Sequence, residues 1–190
     1  LNNYIADVYA QAIPVSEILD DQLIEESHYQ QDNNVEGDLR NGGYLNIQSE
    51  NGLSGLRLSL LGLDGSLPAR SGLNWGQRPE YSREPNQAYI KLSAEVQRMD
   101  FFPDRGTHFI IEEQGDERSN DQNQIFFATR AQDNGKAIES TENNSIIGVY
   151  FRNKLGVQLG NPVLLEDLQN YGKTYVDLYK IDDETFLMDF

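Results

Sequence analysis

Residues 71–87 read Ser71-Gly72-Leu73-Asn74-Trp75-Gly76-Gln77-Arg78-Pro79-Glu80-Tyr81-Ser82-Arg83-Glu84-Pro85-Asn86-Gln87. The stretch holds the single Trp of the chain and two each of Gly, Pro, Arg, Asn and Gln. An apolar run at residues 56–63 precedes it, and Ala88-Tyr89-Ile90-Lys91-Leu92 follows. Both flanks read as strands. The stretch itself is too polar, and too often broken by Pro and Gly, to be strand or helix. A loop of this length is usually functional or disordered. Its amides, guanidiniums and indole favour function, because such planar groups match flat ligand edges.

Outward from this loop the chain is built of short strands. Residues 44–47 alternate and stop at the turn pair Asn51-Gly52. Residues 56–61 and 87–93 read as strands, as do 107–112 and 125–130. Residues 94–99 read as a short helical piece. An acidic, amide-rich loop spans 115–123. Gln132-Asp133-Asn134-Gly135-Lys136 repeats the chemistry of the first loop. A helix over 146–155 follows, capped by Asn144-Ser145, with Ile146, Val149, Tyr150 and Phe151 on its apolar side and Gly156 as its stop. A second helix covers 162–171. Residues 174–181 and 185–190 form a hairpin about Asp182-Asp183-Glu184. Some seven short strands, two helices and no βαβ rhythm predict a mainly β, antiparallel barrel or sandwich.

Upstream, residues 1–43 read as an N-terminal extension and residues 44–190 as the domain. The extension holds a short helix from Pro14 through about Ile24, with Ser16 as N-cap, and a polar linker from His28 to Gly43.

The chain has 190 residues, natural for one domain. It has no Cys, which excludes a disulfide scaffold, a Cys-type zinc site and a thiol nucleophile. That absence fits the cytoplasm. No apolar run approaches about 18 residues, and no signal peptide is visible. Net charge is −16, at first sight adverse to nucleic acid. Its distribution is uneven. Residues 1–65 hold 11 acids and 2 bases, whereas residues 66–105 hold 5 acids and 6 bases. Residues 125–156 hold 3 acids and 4 bases, between two further acidic segments. Two islands keep their cations on an acidic body, as a binding face would if the remainder repelled misplaced polyanions.

The first island offers Arg70, Ser71, Asn74, Trp75, Gln77, Arg78, Tyr81, Arg83, Asn86 and Gln87. The second offers Arg130, Gln132, Asp133, Asn134 and Lys136. Arg pairs in bidentate fashion with guanine, Asn or Gln with adenine, and Asp accepts from the cytosine amino group; Arg and Lys also hold phosphates. The competing reading makes Trp75 a core or loop anchor and lets the amides close turns. A second rival is a carbohydrate- or peptide-binding β-sandwich with Trp75 and Tyr81 as a stacking platform.

Chemistry on a substrate has no strong candidate. Asp104 followed by Glu112-Glu113-Gln114 resembles a degraded metal-dependent nuclease signature with Gln in place of Lys, and reads better as a loop-to-strand junction. His28 and His108 lack a catalytic setting. Asp182-Asp183-Glu184 reads as a solvated turn rather than a calcium site. No His-x-Lys pair, phosphate-cradling Gly loop, Gly-x-Ser-x-Gly elbow or His-x-x-x-His pair exists. No catalytic residue, metal or cofactor is expected.

Several segments carry a resemblance: Ser71-Gly72-Leu73-Asn74-Trp75-Gly76-Gln77-Arg78, Asn86-Gln87-Ala88-Tyr89-Ile90, Gln132-Asp133-Asn134-Gly135-Lys136-Ala137-Ile138, Tyr171-Gly172-Lys173 and Tyr179-Lys180-Ile181-Asp182-Asp183-Glu184-Thr185. In this order they resemble the C-terminal part of NgoFVII-type and BfiI-type restriction endonucleases, from about Gly55 to Phe190. The resemblance implies a DNA-binding domain like the plant B-three domain, an open seven-stranded pseudobarrel with two short helices. It implies two arms that grip the major groove of double-stranded DNA, here residues 67–86 and 130–141. It further implies target recognition for a type II restriction endonuclease. Cleavage would fall to an upstream phospholipase D-fold nuclease domain, active without metal, whose His-x-Lys motif this chain lacks. Residues 1–40 would connect the two. The isolated domain is expected to be monomeric, with no membrane partner. Trp75 is expected to pack the hinge of the first arm, leaving Arg70, Gln77, Arg78 and Arg83 as leading readers.

Overall fold

A computed structural model of the chain describes Leu39, residues 43–113 and residues 124–190. The predicted helix near residues 14–24, most of the polar stretch 28–43 and the acidic loop 115–123 lie outside these residues.

Eight strands form one sheet among the described residues: β1 (Tyr44–Gln48), β2 (Ser54–Ser59), β3 (Ile90–Lys91), β4 (His108–Glu113), β5 (Gln124–Ala131), β6 (Ala137–Ser140), β7 (Tyr175–Lys180) and β8 (Thr185–Asp189). Their order across the sheet is β1-β2-β7-β8-β4-β5-β6-β3. All neighbours run antiparallel except β4 and β8, which pair parallel with Ile110 opposite Thr185. The far edge strand β3 returns beside β2, so the sheet curls into an open half-barrel. Three short α-helices accompany it: α1 (Ala94–Arg98), α2 (Ser145–Leu155) and α3 (Leu165–Tyr171).

The fold is the expected pseudobarrel, with two corrections of count. Among the described residues there are eight strands rather than seven, and the short helical piece expected at 94–99 is a third helix beside the two longer ones. The additional strand, β6, lies inside the segment assigned to the second arm. All four of its residues are buried. Glu139 and Ser140 hide it from a hydrophobicity reading, yet both are bonded: Glu139 accepts from Gln132, and the Ser140 hydroxyl donates to the Asn143 carbonyl at 2.6 Å. Of the residues 130–141 expected to form the second arm, the loop portion ahead of β6 is the short turn between β5 and β6.

Period-two alternation fills the inside of the sheet. Leu56 and Leu58 of β2, Val176 and Leu178 of β7, Phe186 of β8 and Ile111 of β4 are all buried. One aromatic cluster joins Phe102, Phe109 and Phe186 at centroid distances of 5.0 to 6.0 Å. Another joins Phe126, Tyr150, Phe151 and Phe190, with Phe151 and Phe190 4.7 Å apart. Each such ring contributes roughly 1.5–3 kcal/mol by leaving water. On the other face Arg57 meets Asp177 with two hydrogen bonds of 2.8 and 2.7 Å and stacks on Tyr175.

Helix α2 buries Tyr150 and Phe151 of the predicted apolar side, but Ile147 rather than Ile146. Ser145, Gly148 and Arg152 are buried with them. Ser145 bonds the Glu84 carboxylate, and a Cβ on Gly148 would lie 1.7 Å from the Asn86 carbonyl oxygen. The helix is thus rotated to press its smallest residue onto the first loop.

Candidate nucleic-acid interface

The first loop is a folded structure with few free ends. It contains 3-10 turns at Gly72–Asn74 and Pro79–Tyr81. Asn74 is buried and donates to the carbonyls of Val163 (2.8 Å) and Pro68 (3.2 Å), while its Oδ1 accepts from Val163 N–H at 2.8 Å. Asn86 Oδ1 accepts from Gly160 N–H at 2.6 Å. Gln77 Nε2 donates to the carbonyls of Pro85 (3.0 Å) and Gly160 (3.1 Å). Where the loop crosses itself, a Cβ on Gly76 would sit 2.3 Å from the Glu84 carbonyl oxygen.

At the root of this loop lies Arg152, fully buried. Its guanidinium donates to the carbonyls of Asn161 (2.9 Å), Gly148 (3.1 Å), Leu73 (3.4 Å) and Pro85 (3.4 Å). Two of these belong to the loop, one to α2 and one to the turn after α2. Burial lowers its pKa, opposed by the Glu84 charge. A buried charge is tolerable only when its donors are met, and here carbonyl dipoles meet them.

The second loop has the same device on a smaller scale. Arg130 is buried and donates to the carbonyls of Gln97 (2.8 Å), Pro103 (3.4 Å) and Gly135 (3.5 Å). The turn it plugs bends through positive φ at Gln132 (60°), Asn134 (58°) and Gly135 (65°). Two of those residues are not glycine, a conformation that surrounding structure must enforce. Gln132 Nε2 donates to Glu139 at 2.5 Å, and Leu92 N–H donates to the Lys136 carbonyl at 2.9 Å.

The two loops meet at a recess of about 380 Å³ lined by Trp75, Arg78, Arg83, Tyr89, Gln132, Asp133 and Lys136. The Arg83 guanidinium lies over the Trp75 ring at 4.3 Å, with Tyr81 at 5.4 Å. It also donates to the Trp75 carbonyl at 3.2 Å. Tyr89 meets Trp75 edge-on at 5.7 Å. Arg78 donates to the Arg70 carbonyl at 2.8 Å. Three cations face one carboxylate here, opposite in sign to the chain as a whole.

The predicted residues therefore separate into groups. Trp75, Arg78, Arg83, Gln132, Asp133 and Lys136 come together at the recess. Tyr81 and Asn134 are exposed beside it, Ser71 is half-buried, and Arg70 is exposed but ion-paired with Glu80. Asn74 and Arg130 are buried and saturated by internal bonds, so neither presents an edge to a ligand. Asn86 and Gln77 are partly spent in the same way.

Sequence reasoning missed two residues of the site. Tyr89 was legible, since Ala88 and Ile90 on either side are buried and alternation turns Tyr89 outward. Arg152 was legible from the helical spacing of Gly148, Phe151, Arg152 and Leu155, which puts it on the inward stripe.

A family model described as the NgoFVII C-terminal B3-like DNA-binding domain matches residues 48–182, a span that contains both loops and the recess between them. The chain belongs to this family. No curated protein matches it. As a B3-like domain it recognises DNA, in a restriction-enzyme setting. Among the described residues no group of three or more His, Asp or Glu is placed to hold a metal, and no helix is long and apolar enough to cross a membrane.

Proposed function

We propose that this B3-like domain is the target-recognition part of a type II restriction endonuclease and reads double-stranded DNA through the two loops inserted in the major groove. The recess between the loops carries this reading. It gathers Arg78, Arg83, Gln132, Asp133 and Lys136 at one place on a chain of net charge −16. Arg78 and Lys136 suit guanine edges or phosphates, and Asp133 suits the cytosine amino group. Asn134, Tyr81, Ser71 and Arg70 flank them as backbone contacts. The domain acts as a monomer, and cleavage belongs to a nuclease domain of the same protein.

Trp75 speaks against a carbohydrate or peptide platform. Arg83 lies over one face of its ring and Tyr89 meets it at an edge-on angle, so that face is already taken.

Selection from a pool of random duplexes tests the proposal. One sequence should be enriched, and its affinity should fall steeply as salt rises. A chain that enriches nothing, or binds without salt dependence, contradicts it.

A further inference from the structure

Beside the recess runs a second groove of about 420 Å³, and Lys136 borders both. Its polar wall includes Lys91 of edge strand β3 and Arg98 in the last turn of α1, both exposed. Leu61 and Leu63 form an apolar side, and Glu95 is the carboxylate present.

Acids outnumber bases by 31 to 15 in the chain, and five of the thirteen described cations have taken an acid. Arg57 pairs with Asp177, Arg70 with Glu80, Lys154 with Glu113, Lys173 with Asp189 and Lys180 with Asp183. Lys91, Arg98 and Lys136 make no ion pair among the described residues, although carboxylates are abundant. Three free cations on one continuous surface, next to a positive recess, match a polyanion that runs on from it.

We infer that this groove seats the sugar–phosphate backbone of the DNA beyond the base-reading recess. Lys91 and Arg98 hold successive phosphates, Lys136 marks the junction, and Leu61 and Leu63 pack against deoxyribose. The inference rests on the DNA-reading proposal and adds contacts that carry no sequence information.

Salt-dependent titration of the full 190-residue chain separates the two. The probes are a labelled duplex of random sequence and the duplex enriched by selection. Replacing Lys91 and Arg98 together by Ala should weaken both duplexes by the same factor, about tenfold near 0.1 M salt. The slope of log affinity against log salt should become shallower by about 1.8, since each phosphate contact contributes about 0.9. Arg98→Glu alone should shallow the slope too, and Glu95→Gln should tighten both duplexes. Unchanged slopes in folded variants, with wild-type binding intact, overturn the groove and leave the DNA-reading proposal standing. Failure of the wild-type chain to bind either duplex at low salt overturns both.

Discussion

The two loops reach the same recess by opposite means. The first, residues 67–86, is long and folds on itself; Asn74, Gln77 and Asn86 tie it to the turn at residues 157–163. The second, residues 132–136, is a tight turn held by positive φ at three positions. Yet each root is filled by a buried arginine aimed at backbone carbonyls, Arg152 for the first and Arg130 for the second. Irregular backbone cannot satisfy its carbonyls in a ladder, and one guanidinium offers five donors in a fixed plane. The arginines of the two loops and their roots thus divide into those that hold backbone, Arg130 and Arg152, and those that line the recess, Arg78 and Arg83.

The largest effects are expected at the roots. Arg152→Met should cost about 3 kcal/mol, because four carbonyls lose their donor in a dry site. Arg130→Met should cost less, about 1–2 kcal/mol, since two of its three bonds are long. Urea unfolding midpoints rank them; an Arg152→Met chain as stable as wild type removes the anchoring role. Next in size is Gly148→Ala. A helix interior ordinarily gains up to about 1 kcal/mol from this change. Here the added methyl meets the Asn86 carbonyl, so the chain should lose about 2 kcal/mol instead. A rise in thermal midpoint contradicts the close contact.

At the tips the expectation reverses. Lys136→Ala should change stability by less than about 0.5 kcal/mol but lower DNA affinity about tenfold, roughly 1.4 kcal/mol. Titration against the enriched duplex checks it. The smallest effect comes from outside both loops, where Arg57 meets a carboxylate rather than carbonyls. There burial, with Asp177 and Asp189, pushes the Tyr179 phenol from 10.0 up to about 12. The neutral phenol is favoured in the fold, so its contribution is complete below pH 10 and is lost as pH rises through 12. Tyr179→Phe should flatten the decline of the urea midpoint between those values. An unchanged decline shows that the phenol does not matter.

Much of the fold was legible because the sheet obeys simple alternation. Leu56 and Leu58, and the hairpin about Asp182-Asp183-Glu184, announced themselves. β6 did not, because Glu139 and Ser140 are polar residues buried by hydrogen bonds rather than by hydrophobicity. The apolar face of α2 was half legible: Tyr150 and Phe151 are buried as expected, but Ile147 is buried rather than Ile146, and the polar Arg152 is buried beside them. In the candidate site, the chemistry of residues 71–87 and 130–136 picked out two loops whose side chains line one recess. It did not separate Asn74 and Arg130 from Arg78 and Lys136, since residue type says what a side chain can bond and only packing says to what.

Two loops that read one DNA site should each set the preference at a base pair of their own. The direct measurement is the base preference of the enriched sequence, position by position, for wild type, Arg78→Ala and Lys136→Ala. Each substitution should relax the preference at its own base pair, the two lying close together but distinct. If both lower affinity uniformly and leave every preference intact, the loops hold the DNA without reading it.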